Sequence, residues 1–242
     1  MEQQTEFLDA VRRGDTSAVV NLLDRHPELA RFAGEHGKTG LHSAAEIDQA
    51  EVARSLLDAG AEIEAKTSWG ASPLDWAATM GSARVAELLL SRGAGGLTFV
   101  VAAGLGKLDQ VRATIGSGAD LSVQRRRGAP ELPDEHWPAD SAHLLGDVVS
   151  DAMYAAARNG HTHVVEFLLD SAAAIDAKGV FGATALHWAA INGHRSTTDL
   201  LLARGASLVI RDRRFDATPA EWAKEGGHME IADALRPNEE TA

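Results

Sequence analysis

Residues 184–194 read TALHWAAINGH. The order of residue types in this stretch specifies a short helix. Thr184 can cap it, its side-chain oxygen accepting from an otherwise unpaired backbone N–H. An apolar residue, a His and a Trp follow, then the pair Ala189-Ala190, which leaves no bulk on one face and lets another backbone approach. Gly193 suits the left-handed turn that ends a short helix. The phrase recurs at 72–82 (SPLDWAATMGS) and 218–228 (TPAEWAKEGGH). There Pro73 and Pro219 take the first helical position, where a missing N–H costs nothing. A second apolar helix comes next, as in RVAELLLSRGA (84–94), closed by Gly93. The unit is two short helices, each ended by glycine.

The same frame fits TEFLDAVRRGD (5–15), TGLHSAAEIDQ (39–49) and DAMYAAARNGH (151–161). A further copy, LTFVVAAGLGK (97–107), lacks the capping residue and the His. Frames start at residues 5, 39, 72, 97, 151, 184 and 218, in steps of 34, 33, 25, 54, 33 and 34. With this period and a T-P-L-H-x-A-like phrase, the chain resembles the ankyrin repeat family. The resemblance runs from Thr5 to Arg236 and implies an all-α solenoid of about seven helix-turn-helix units, with an irregular insertion after the fourth. Helices are expected at about 39–48, 72–80, 151–159 and 184–192. The expected organisation is one repeat domain over 1–236, an inserted loop over 120–150 and a disordered tail over 237–242.

Composition narrows the function. The 242 residues include 23 basic and 35 acidic ones, a net charge of −12. That argues against nucleic acid as the main partner, because neutralising phosphates needs a basic face. The absence of cysteine removes disulfides and Cys-ligated zinc. MEQQTEFLDAVRRGD at the start has no signal-peptide core, and the longest apolar stretch, around 97–105, is far short of a membrane span. The expectation is a soluble, cytoplasmic protein with no membrane partner, no metal and no cofactor.

The repeat frame accounts for most residues that invite a catalytic reading. The family resemblance implies that His42 and His187 bond to neighbouring backbone and tie repeats together. His161, His194 and His228 each follow the glycine slot and read as structural. Trp76, Trp188 and Trp222 share one position facing the adjacent repeat and read as core. His161 and His163 read as helix-start residues rather than a metal pair. The end units read as polar caps, through Arg12, Arg13 and Asp15 and through Glu221, Lys224 and Glu225.

The pattern breaks around the fourth unit. The step of 25 removes the hairpin before it, and the step of 54 inserts DLSVQRRRGAPELPDEHWPADSAHLLGDVVS (120–150), with three of the seven prolines. Insertions in repeat proteins map to loops, often on the binding face. By resemblance, the two residues after each small pair face the concave groove: Arg12-Arg13, Glu46-Ile47, Thr79-Met80, Gly104-Leu105, Arg158-Asn159, Ile191-Asn192 and Glu225-Gly226. Met80, Leu105 and Ile191 make its middle apolar. Trp69, Phe181 and Phe215 occupy one equivalent position at the hairpin tips. Grouped exposed apolar residues of this kind mark binding sites.

Two functions fit. The first is a non-catalytic module that recognises a protein or peptide through the groove and hairpin tips, with binding residues Trp69, Met80, Leu105, Trp137, Phe181, Ile191 and Phe215. The second is a pocket for an apolar small molecule under loop 120–150. In that reading His136 acts as base, Asp134 or Glu135 orients it, Trp137 covers the ligand and Arg125, Arg126 and Arg127 hold an anionic group, as in an acid/base enzyme of cyclase or isomerase type. No nucleophile motif, phosphate loop or metal-ligand set points to a reaction class.

Overall fold

The computed structural model describes residues 2–68, 70–118, 148–171 and 173–236. Among them are fourteen α-helices and no strand, with one isolated bridge between Ala33 and Thr39. The chain forms two compact units that divide between Leu97 and Thr98. The first holds α1 (Glu2–Arg13), α2 (Thr16–Arg25), α3 (Gly40–Glu46), α4 (Ala50–Asp58), α5 (Pro73–Met80) and α6 (Ala83–Ser91). The second holds α7 (Phe99–Gly104), α8 (Leu108–Gly116), α9 (Val148–Arg158), α10 (Thr162–Asp170), α11 (Ala185–Ile191), α12 (Arg195–Ala203), α13 (Pro219–Glu225) and α14 (Met229–Ala234).

Each odd-numbered helix packs on the even-numbered helix that follows it. Within the first unit α3 also packs on α1 and α5, and α4 on α2 and α6. Within the second, α9 lies between α7 and α11, α11 packs on α13, and α10 lies between α8 and α12. The expected helical stack is therefore present in each unit. The small pairs explain the close approach of first helices: Ala156, Ala157, Ala189, Ala190 and Ala223 are all fully buried. Leu168, Leu186 and Leu201, also fully buried, fill the layer behind them. Each contributes roughly 1.5–3 kcal/mol over its exposed state.

The capping chemistry follows the repeat phrase. Ser72 Oγ accepts from the Asp75 N–H at 3.2 Å, and the Asp75 carboxylate accepts from the Ser72 N–H at 2.9 Å. Thr218 and Glu221 make the same reciprocal pair. At α3 and α11 a histidine replaces the acid. The Thr184 N–H donates to His187 Nδ1 at 3.1 Å, and His187 Nε2 reaches the Ala217 carbonyl, one hairpin on, at 3.2 Å. His42 does the same between Thr39 and Ala71, at 3.2 and 3.0 Å. Because Nδ1 accepts a backbone proton, Nε2 must carry the ring's own, and the ring is neutral. Burial pushes both histidines below their ordinary pKa, against the raising effect of the carbonyl each one bonds.

A second ladder runs through the histidines after the glycine slot. His161 Nε2 faces the Gly104 carbonyl at 3.1 Å and His194 Nε2 the Arg158 carbonyl at 2.8 Å. The ring of His228 lies directly against Gly193, which has a left-handed φ of 73° and no room for a Cβ. In the first unit Asp48 takes that left-handed slot at φ 53°. Its carboxylate then receives Arg84 Nε at 2.9 Å and the Val85 N–H at 3.0 Å.

Two sequence expectations are corrected. The 97–107 copy does have a cap: Thr98, one position later than the frame predicts, accepts from the Val101 N–H at 3.2 Å. The helix simply starts one residue in, at Phe99. Thr98→Ala should cost on the order of 1 kcal/mol, read as a lower urea midpoint; an unchanged midpoint would show that this cap carries no weight. Asp151, expected to open its helix, instead lies buried inside α9, which already runs from Val148.

Candidate functional site

The hairpin between α12 and α13 is organised by a buried carboxylate. Asp212 is 2% exposed. It accepts from the backbone N–H groups of Arg214, Phe215 and Ala217 at 2.7, 2.8 and 3.0 Å, and from Trp222 Nε1 at 2.9 Å. Burial alone would raise its pKa, but these four donations outweigh burial and hold the carboxyl below its ordinary range. The consequence is geometric: one side chain locks the tip of the hairpin to the indole of α13.

Around that lock lies a set of rings and guanidinium groups. Trp188 meets Trp222 edge-on, with ring centres 5.1 Å apart, and Phe215 meets Trp222 at 6.4 Å. Arg158 lies over Trp188 at 4.5 Å. Arg214 serves both hairpin tips, 5.0 Å from the Phe181 ring and 5.2 Å from the Phe215 ring. Phe181 has a left-handed backbone at φ 62°, rare for a bulky residue, and its carbonyl accepts from the Arg213 N–H at 2.6 Å. Phe215 remains 64% exposed. Each cation–ring contact at such a surface is worth about 0.5–1 kcal/mol. Together they order an exposed apolar surface.

The predicted binding residues divide accordingly. Phe181 and Phe215 are brought together through Arg214. Ile191 and Leu105 are half-buried at the C-terminal ends of α11 and α7, and Met80 is half-buried at the end of α5 in the first unit. Gly104, expected on the exposed side beside Leu105, is instead buried, its carbonyl occupied by Asn159 Nδ2 and His161. Trp69, Trp137, His136, Asp134 and Glu135 lie outside the described residues, as do the rest of 119–147 and the tail from 237. Trp76 and Trp188, read as core, are half-buried, and Lys38 Nζ lies 4.7 Å from the Trp76 ring. Only Trp222 of the three is buried. Arg158 was placed at the groove by the sequence but not among its binding residues; Asp212 and Arg214 escaped sequence reading, although RDRRFD (211–216) is the densest run of arginine among the described residues.

A second surface feature is an open groove of about 450 Å³ beside α13 and α14. Leu208, Val209, Ala220 and Met229 line it, with Arg211, Lys224 and Arg236 among its polar residues. Val209 and Met229 are 67% and 48% exposed, so this end is less polar than the sequence reading predicts. No group of described residues could hold a metal ion, and no described helix is long and apolar enough to cross a membrane.

The family model for ankyrin repeats (3 copies) matches residues 7–96, 99–212 and 153–241. The chain belongs to the ankyrin repeat family. It is 24% identical over 239 residues, 98% of its length, to human SH3 and multiple ankyrin repeat domains protein 2, of which it spans 10%. A putative ankyrin repeat protein of Rickettsia bellii is 41% identical over 84 residues, 33% of this chain and 35% of that protein. The human transient receptor potential cation channel subfamily A member 1 is 28% identical over 205 residues, 82% of this chain and 17% of the channel. The human ASB11 ankyrin repeat domain aligns with 96% of this chain and 98% of its own at 20% identity and a TM-score of 0.45. Ankyrin repeats are in general protein-interaction modules.

Proposed function

We propose that this chain binds a protein or peptide partner through the face that carries Trp188, Trp222, Phe215 and Phe181. One observation supports this above the others: a buried carboxylate holds an exposed phenylalanine in place. A residue needed only for folding would be buried. Here Asp212 directs its hydrogen bonds to the backbone that presents Phe215 to solvent. Ordering an aromatic anchor before contact removes part of the entropy cost of binding. Aromatic and arginine side chains are also the types that dominate interface energetics.

Partner captured from cell extract by the whole protein provides the assay. Trp188→Ala and Phe215→Ala should each weaken its binding by about 1–3 kcal/mol. Glu87 and Asp199, exposed on the second helices α6 and α12, serve as controls, and their alanine variants should bind normally. Equal losses from both sets would refute the assignment of the face.

Gly226 tests the geometry beneath that face. A Cβ there would strike the Ile191 carbonyl, a backbone atom that cannot swing aside. Gly226→Ala should therefore separate α11 from α13 and cost roughly 1–3 kcal/mol of stability. An unchanged urea midpoint would show that the two backbones have slack.

A further inference from the structure

The partner's chemistry follows from the charges at the two hairpin tips. The chain as a whole carries −12, yet the last hairpin reads RDRRFD. Its carboxylates do little to offset its arginines. Asp212 is buried, its oxygens engaged by four N–H donors. Asp216 and Glu221 both lie beside Arg211, at 3.9 and 3.3 Å. Among the described residues, no carboxylate lies within ion-pairing distance of Arg213 or Arg214. Arg213 packs against Gly182 of the neighbouring hairpin, and Arg214 lies over both phenylalanines.

Building on the partner-binding reading, we infer that this surface recognises an acidic peptide segment with an apolar or aromatic anchor, its carboxylates meeting Arg213 and Arg214 and its anchor resting on Phe215 and Trp188. Guanidinium groups suit this task because they pair bidentately with carboxylates while one plane stacks on a ring. Stacking also fixes Arg214 before the partner arrives, so less side-chain freedom is lost on binding. A long polyanion is disfavoured. Its charge would extend past the tips onto a strongly acidic protein, whereas screening over about 8 Å at physiological salt confines a short segment to the local positive field.

The test uses the whole protein and a phage-displayed library of random peptides, with a synthetic copy of a recovered peptide for affinity measurement. Recovered sequences should be enriched in Asp and Glu around Phe, Trp or Leu. Arg213→Glu with Arg214→Glu should weaken the synthetic peptide at least about ten-fold while far-UV circular dichroism stays unchanged and melting falls by only a few degrees, the loss of the ring contacts, since both side chains are exposed. Arg214→Lys, which keeps the charge and loses the stacked plane, should cause a smaller loss, and added salt should weaken binding of the wild type. Peptides without acidic excess, or acidic ones indifferent to the double substitution, would overturn the inference while leaving partner binding standing. No enrichment at all would overturn the inference, while partner captured from extract decides the binding reading separately. Binding of poly(U) RNA as tight as the peptide's, and competitive with it, would overturn the peptide assignment in favour of a general polyanion surface.

Discussion

Asp212→Ala should lower the unfolding free energy by roughly 2–4 kcal/mol, because it strands the buried Trp222 Nε1–H and three part-buried backbone N–H groups at once rather than deleting one bond. Denaturant unfolding followed by far-UV circular dichroism measures it. Asp212→Asn should fare little better, since an amide turns an N–H toward N–H groups. The loss should also carry a pH signature. The folded carboxyl titrates below the unfolded one, so its stabilisation is complete above the unfolded pKa of about 3.9 and disappears as pH falls through the lower folded value. Wild type and Asp212→Asn should therefore differ most near neutrality and converge in acid. An Asp212→Ala protein with an unchanged midpoint would remove the lock from this account, and with it the claim that Phe215 is held in place.

His187→Ala should be comparably damaging, at about 2–4 kcal/mol. It empties a fully buried site and leaves the Ala217 carbonyl and the Thr184 N–H without their partner. Here the pH dependence falls in a different window. Burial lowers the folded pKa of His187, so the ring stays neutral where the unfolded chain begins to take up a proton. Its contribution is whole above the unfolded pKa of about 6.5 and declines as pH falls toward the folded value. The wild type should lose stability between neutrality and mild acid, and His187→Ala should lose less over the same interval. A variant with the full wild-type slope would show that other groups set it.

The helix pairs were legible in the sequence because everything that specifies them is local. Thr184, His187, Ala189-Ala190 and Gly193 lie within one short stretch, and each acts on backbone a few residues away. The bond from His187 to the next hairpin came only from resemblance to the family, since spacing alone does not say where Ala217 lies. Thr98 was missed because its helix starts one residue late while the alanine pair keeps the frame. Trp76 and Trp188, unlike Trp222, depart from the core reading for a related reason: a shared position in a repeat fixes direction, but exposure depends on what the neighbouring helix brings. Trp222 is covered by Asp212, His187 and Phe215, whereas Trp188 meets Arg158 and Trp222 and stays half-buried. Arg214 gained its role by reaching a phenylalanine on a different hairpin, which no local pattern encodes.

The histidine that leaves one helix and ends on the following hairpin also acts as a measuring device. His42 and His187 each reach a carbonyl immediately before the next cap, at Ala71 and Ala217. A bolt of fixed length tolerates a different thread on the outside but not a displaced hole. Residue types at the tips, such as the arginines and phenylalanines of the last two hairpins, are free to change without disturbing it. An inserted or deleted residue between helix and tip would move the acceptor off the ring. The interval between these units is thus gauged from inside the protein, while the surface that meets a partner can be rewritten.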